Sequence, residues 1–156
     1  MRDYGPALAR LAATYARGKA DQYDLLQEIW VAIWRALLSF RGESSERTFI
    51  FRIAHNRGIT FSTRRRREPP GDSEDLPDPR PDPASALALS HRHDRLMVAV
   101  RQLEEPHRQA VMLYLEGFSN RQIAEVQGAT ENNIAVRLTR ARKELRELLG
   151  EAGDEG

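Results

Sequence analysis

No cysteine occurs among the 156 residues. That absence excludes a disulfide framework, a thiol nucleophile and thiolate metal sites, and it suits a reducing cytosol. No apolar run approaches the roughly 20 residues of a membrane span, and the N-terminus carries no signal-peptide core; a soluble, cytoplasmic protein is expected. Alternating apolar and polar stretches of useful length are missing too, which argues against strands. Catalytic signals are equally thin. There is no glycine-rich phosphate loop, and His91 and His93, two apart on a helix, point to different sides. His55 and His107 lack nearby sequence partners, and the carboxylates are scattered over helix surfaces. A non-enzyme is expected, without catalytic residues, metal or cofactor.

Charge of one sign is scarce only on average. The formal net charge is +1, yet eight arginines face two glutamates between Arg41 and Arg67, and six acids face Arg80 alone between Glu68 and Pro83. A polyanion responds to local charge over a Debye length of about 10 Å, so the neutral mean excludes nothing. Six of the eight prolines lie between Pro69 and Pro83. Such a density of missing backbone donors among acids reads as an extended linker. It divides the chain into a domain of residues 1–67, a linker of 68–86, a domain of 87–150 and a disordered tail of 151–156.

Both halves read as helical. Helices are expected over Ala7–Ala16, over Asp24–Leu38, and from near Glu46 into the arginine run; then over Leu87–Leu103 and Pro106–Glu116. Pro6 and Pro106 stand where helices start, and Gly117 offers a C-terminal stop. Apolar residues wrap more than half of the second helix, so one face fills a core and either Trp30 or Trp34 is left for a partner.

From Ser119 to Leu145 the pattern sharpens. Ser119 and Gln122 form an S-x-x-Q capping box, Ile123, Ala124 and Val126 an apolar set, and Gly128 an abrupt helix end. Thr130 can cap the next helix, whose apolar stripe is Ile134, Leu138, Ala141, Leu145 and Leu148. The opposite face holds Asn132, Val136, Thr139, Arg140 and Lys143, flanked by Asn133 and Arg137. Helix, glycine turn and polar-faced helix make up a DNA-reading helix-turn-helix. Amides in the first turn can pair with adenine, Arg137 and Arg140 can reach guanine or phosphate, and Val136 suits a thymine methyl. An ordinary amphipathic hairpin with a solvated charged face would share much of this pattern.

Taken in order, DLLQEIWVAIWRAL, FRGESSERTFIFRIAHNRGITFSTRRRR, the Pro-rich segment and a terminal helix-turn-helix closing in RLTRARKELREL resemble the extracytoplasmic-function (ECF) sigma factors of bacterial RNA polymerase. The resemblance covers about residues 7–149. It implies an all-α protein of two small helical domains on a flexible linker, the first binding core polymerase and the promoter -10 element, the second the -35 element. By resemblance, Asp24, Leu25, Gln27 and Glu28, with Trp34, dock on the clamp coiled coil of the polymerase largest subunit. Phe40, Arg41, Gly42, Glu43 and Ser44 match the loop that captures a flipped base, whose unstacking costs on the order of a few kcal/mol. Arg52, His55 and Asn56 share a helix face toward that DNA, and Arg64, Arg65, Arg66 and Arg67 are candidates for upstream phosphates. Thr130, Asn132, Asn133, Val136, Arg137, Arg140 and Lys143 are the -35 candidates. An anti-sigma factor is a further implied partner.

Several positions depart from the family pattern: Tyr23 replaces an acid, Thr60 an aspartate, Arg57 an aliphatic residue, and Ala135 and Val136 stand where lysine and serine are frequent. Helical geometry puts Arg57 on the face of Ile50, Ala54 and Phe61, where it must snorkel or find a partner. Gly58 beside it costs about 1 kcal/mol relative to alanine and reads as a weak point. Two other classes remain open here: a self-sufficient helix-turn-helix regulator, for which no dimerisation helix follows Leu149, and a helical adaptor that binds only proteins.

Overall fold

Pro6 and Pro106 sit in the first turns of two helices, where a backbone N–H has no intrahelical acceptor to lose. The computed structural model describes residues 4–67 and 88–154, and within them the elements are α1 (Gly5–Ala13), α2 (Lys19–Leu37), α3 (Glu46–Arg67), α4 (Ala88–Arg101), α5 (Glu105–Leu115), α6 (Asn120–Gln127) and α7 (Glu131–Asp154). The all-α expectation holds among the described residues; the linker expected over 68–86 lies outside them.

Boundaries shift for local reasons. α1 stops at Ala13 because the Thr14 hydroxyl donates to the Leu11 carbonyl at 2.7 Å and the chain turns Tyr15 inward. α2 begins five residues ahead of Asp24, directly after the extended Gly18, with Gln22 Nε2 donating to Ala9 O at 2.8 Å to tie it to α1. α7 continues to Asp154, four residues into the expected tail. Leu148 and Leu149 still line a groove against α4, and no proline bars the backbone beyond them.

In the first half Leu25, Ile29 and Ile33 of α2 repeat every four residues and are fully buried against α3. Trp30 packs against this core, whereas Trp34 is 74% exposed. Arg57 does not turn inward. The inward arc of α3 runs through Ala54, Gly58 and Phe61, leaving Arg57 exposed. Gly58 is buried, and the ring of Tyr15 lies where its Cβ would be, which is why glycine stands there.

The two halves do not stand apart. One apolar cluster runs from Leu8 and Ile29 through Phe51 to Phe118, Ile123 and Ile134. α3 buries residues around much of its circumference because α2 covers one side and α6 another. At the joint, Phe51 and Phe118 pack with centroids 4.9 Å apart, and the Arg47 guanidinium covers the Phe118 ring at 3.9 Å while donating to the Glu116 carbonyl. Arg10 grips the Glu116 carboxylate with two nitrogens at 2.5 and 2.9 Å. Glu105 accepts from Ser62 at 2.8 Å and pairs with Arg66 at 3.2 Å. Apolar periodicity along either half does not say that Phe51 and Phe118 share one interior.

Candidate nucleic-acid interface

The helix-turn-helix forms as its sequence dictates. Ser119 and Gln122 satisfy each other's orphan N–H groups at 3.2 and 2.9 Å, Gly128 adopts φ 66°, and Thr130 Oγ1 accepts from Asn133 N–H at 3.1 Å. Ile134, Leu138 and Ala141 are buried, which turns the opposite face of α7 to solvent. Asn132, Asn133, Val136, Arg140 and Lys143 are all exposed there. Two candidates are committed elsewhere. The Thr130 hydroxyl is the helix cap, and Arg137 is half-buried with Nη1 donating to Gln127 Oε1 at 2.8 Å.

The loop before α3 makes the second cluster. Gly42 takes φ 75°, a left-handed turn that a side chain would strain. Phe40 stacks on Phe49 with centroids 4.4 Å apart, and Ser45 Oγ caps α3 by accepting from Thr48 N–H at 3.0 Å. Phe40, Arg41, Glu43, Ser44 and Arg52 line a cleft of about 650 Å³, but Ala124, Glu125 and Gly128 of the helix-turn-helix line its other side. Arg52 and Asn56, one turn apart on α3, are exposed.

His55 does not share that face. It is 6% exposed, and its Nδ1 lies 2.6 Å from the Tyr15 hydroxyl. Burial lowers its pKa to about 4, helped by the nearby Arg137 cation and opposed by Glu105, so the ring is neutral near pH 7. Burial likewise pushes the Tyr15 hydroxyl well above its ordinary value. Leu25 is a second correction: it is fully buried in the core of the first half and offers nothing to a partner. Asp24 and Gln27 are exposed, while Glu28 is half-buried.

The arginine run meets acids of its own chain. Arg64 pairs with Glu28 at 3.0 Å, Arg65 with Asp21 at 2.6 Å, and Arg66 with Glu105 of the other half; Arg67 is exposed. Sequence reasoning missed the acids' side of these pairs; it marked Tyr23 only as a departure from the family's acid and assigned Val31 and Leu38 to no surface. These three are 64%, 50% and 88% exposed and align with Gln27 and Trp34 at steps of three and four along α2. An apolar wrap of more than half the helix does not by itself say which residues form that second stripe.

Comparison with known proteins agrees with this layout. The family model for Sigma-70 region 2 matches residues 1–68, and that for Sigma-70, region 4 matches residues 93–145. The ECF RNA polymerase sigma-E factor of Haemophilus influenzae is 30% identical, with 90% of this chain and 80% of that protein covered. The sigma-E factor of Escherichia coli K12 is 28% identical, over 91% and 80%. Among solved structures, the sigma factor RpoE in complex with the anti-sigma factor NepR from Bartonella quintana superposes with a TM-score of 0.78 at 27% identity, covering 94% of this chain and 91% of that one. CnrH, in complex with the cytosolic domain of CnrY, shares the fold at a TM-score of 0.67. Two region models in the right order, a relative at 30% identity over most of its length, and an exposed reading helix behind a capped turn establish that this chain belongs to the ECF sigma factors, the specificity subunits that direct RNA polymerase to promoters.

Proposed function

We propose that residues 1–67 bind core polymerase and the -10 element, that residues 87–150 read the -35 element, and that residues 68–86 link them. The observation that carries this reading is the unobstructed face of α7, where Asn132, Asn133, Val136, Arg140 and Lys143 form no ion pair among the described residues. Amides at the N-terminal end of such a helix reach base edges, and cations further along reach phosphates. On α2, Tyr23, Gln27, Val31, Trp34 and Leu38 offer a mixed apolar and polar stripe suited to the clamp coiled coil of the polymerase largest subunit. Tyr23, in place of the family's acid, enlarges the apolar part of this surface.

Promoter engagement then requires the halves to part. α6 walls the cleft meant for a flipped base, and Glu28, Asp21 and Glu105 neutralise the arginines meant for phosphates. Docking of α2 on polymerase would draw Glu28 away and release Arg64 for DNA. The similarity to a sigma factor held by an anti-sigma factor extends over both halves at once, which supports an anti-sigma partner for the closed arrangement. The test is run-off transcription with purified core polymerase on a genomic library, with start sites sequenced. Transcripts sharing paired motifs near -10 and -35 are expected. A footprint formed without polymerase would favour the self-sufficient regulator instead.

A further inference from the structure

A side-chain bond ties the reading helix to the helix before it: Arg137 Nη1 donates to Gln127 Oε1 at 2.8 Å. Gln127 is the last residue of α6, directly ahead of Gly128 with its φ of 66°, so the turn fixes its backbone. The bond also fixes its amide, since reversal would set Nε2 against the guanidinium, donor to donor. In this orientation Nε2 is buried and meets no acceptor among the described residues. A glutamine that served only the fold would keep that N–H paired or in water. Here the oxygen serves Arg137 and the nitrogen is left unmet.

The position of Arg137 on α7 is a second, independent observation. At about 100° per residue, it stands about 60° round the helix from the buried Ile134 and about 100° from Val136. It therefore lies on the flank toward α6, off the outward line of Asn132, Val136 and Lys143. In a helix-turn-helix the reading helix fills the groove while the helix before it crosses the sugar-phosphate backbone. The flank between the two faces the groove wall, which offers phosphates rather than base edges. One guanidinium nitrogen is used by Gln127; Nε and Nη2 make no hydrogen bond among the described residues and are not buried.

We propose that Gln127 is a positioning residue that holds the Arg137 guanidinium for one backbone phosphate beside the -35 element, so that Arg137 anchors α7 and reads no base. The proposal rests on α7 being the -35 helix and fixes what this arginine does there. A guanidinium held along one edge presents the other as a fork to phosphate oxygens, and it surrenders less side-chain freedom on binding than an unrestrained one. Asn133 and Arg140, four residues before and three after, are exposed, and their side chains form no hydrogen bond among the described residues. They are left for base edges. In the closed arrangement the Arg137 cation acts on His55 of the first half, so parting of the halves uncovers it.

The test uses holoenzyme assembled from core polymerase and the full chain, on a promoter duplex found by run-off transcription. Phosphates around the -35 element are replaced one at a time by neutral methylphosphonates. At one of them, replacement should weaken wild-type binding by about tenfold and hardly affect Arg137→Ala. Arg137→Ala should also lower the salt slope by about one unit and leave preference at every -35 base as it was. Gln127→Leu should lose sensitivity to that same phosphate, and Gln127→Glu, which keeps an acceptor for Arg137, should retain it. Equal thermal melts of the two Gln127 variants separate positioning from loss of fold. A changed base preference in Arg137→Ala, an unaltered salt slope, or a Gln127→Leu protein that still singles out that phosphate would overturn the proposal. Wild-type holoenzyme that selects no promoter would overturn the -35 reading itself, an outcome distinct from these.

Discussion

A Cβ on Gly58 would lie 2.6 Å from the ring of Tyr15. That ring is 5% exposed and fixed at its far end by the hydrogen bond to His55, so it has no room to yield. Alanine at a mid-helical glycine normally stabilises by about 1 kcal/mol. Here Gly58→Ala is expected to destabilise by about 1–3 kcal/mol, the usual cost of overpacking. Urea denaturation of the two proteins decides the sign.

The neutral, buried His55 sets a pH dependence. Its folded pKa, about 4, lies below the ordinary histidine value of 6.5, so the unfolded chain binds more protons between them. The stability that follows is fully present above pH 6.5, declines as pH falls toward 4, and levels off below; its size is up to about 3 kcal/mol. The groups around the ring are Tyr15, Arg137 and Glu105. His55→Phe should flatten this part of the stability–pH curve measured by thermal melts, and an unchanged curve would place the titration elsewhere.

Contacts at the joint are separable from the core of either half. Arg47→Ala with Glu116→Ala removes the cation over Phe118 and the Arg10 pair, worth about 1–2 kcal/mol together. The expected outcome is a larger radius of gyration in small-angle scattering and tighter promoter binding by the holoenzyme, with little change in far-ultraviolet helicity. Tighter packing or weaker promoter binding would contradict the closed arrangement as a brake.

Leu25 and Trp34, nine positions apart on α2, should behave oppositely. Leu25→Ala is expected to cost about 2–5 kcal/mol of stability because it empties a buried site. Trp34→Ala, at a position 74% exposed, should leave stability within about 0.5 kcal/mol and weaken binding to core polymerase. Co-sedimentation with core enzyme tests the second half of this pair.

The reading face and the arginine run differ in what they do to specificity. Asn133→Ala and Arg140→Ala should each change preference at individual -35 bases by about 1–3 kcal/mol. Arg64→Ala with Arg65→Ala should instead weaken all promoters alike and flatten the salt dependence by roughly one unit per lost phosphate contact. Uniform losses from the first pair, or an unaltered salt slope from the second, would reverse these roles.

Much of the local architecture was legible without coordinates, because it depends on neighbours within one turn. Ser119 with Gln122, Gly128 and Thr130 specify the helix-turn-helix by side-chain-to-backbone bonds over three residues. The stripe Ile134, Leu138 and Ala141 sets which face of α7 is exposed. The family resemblance rested on the same local patterns, arranged in order along the chain.

Other features depended on which surfaces meet. Arg57 is exposed and Gly58 buried, since only the arrival of Tyr15 fixes which arc of α3 faces inward. His55 shares helical spacing with Arg52 and Asn56, yet α1 and the second half close over it. The pairing of Arg64 to Arg66 with Asp21, Glu28 and Glu105 brings together groups more than 35 positions apart. The chain by itself determined the Ser119 and Thr130 caps, the Gly128 stop and the apolar stripe of α7, which are short-range steric and hydrogen-bonding choices. Only tertiary structure decided that two helical halves close on Phe51 and Phe118, because burial and charge pairing between distant segments follow from three-dimensional packing rather than from periodicity.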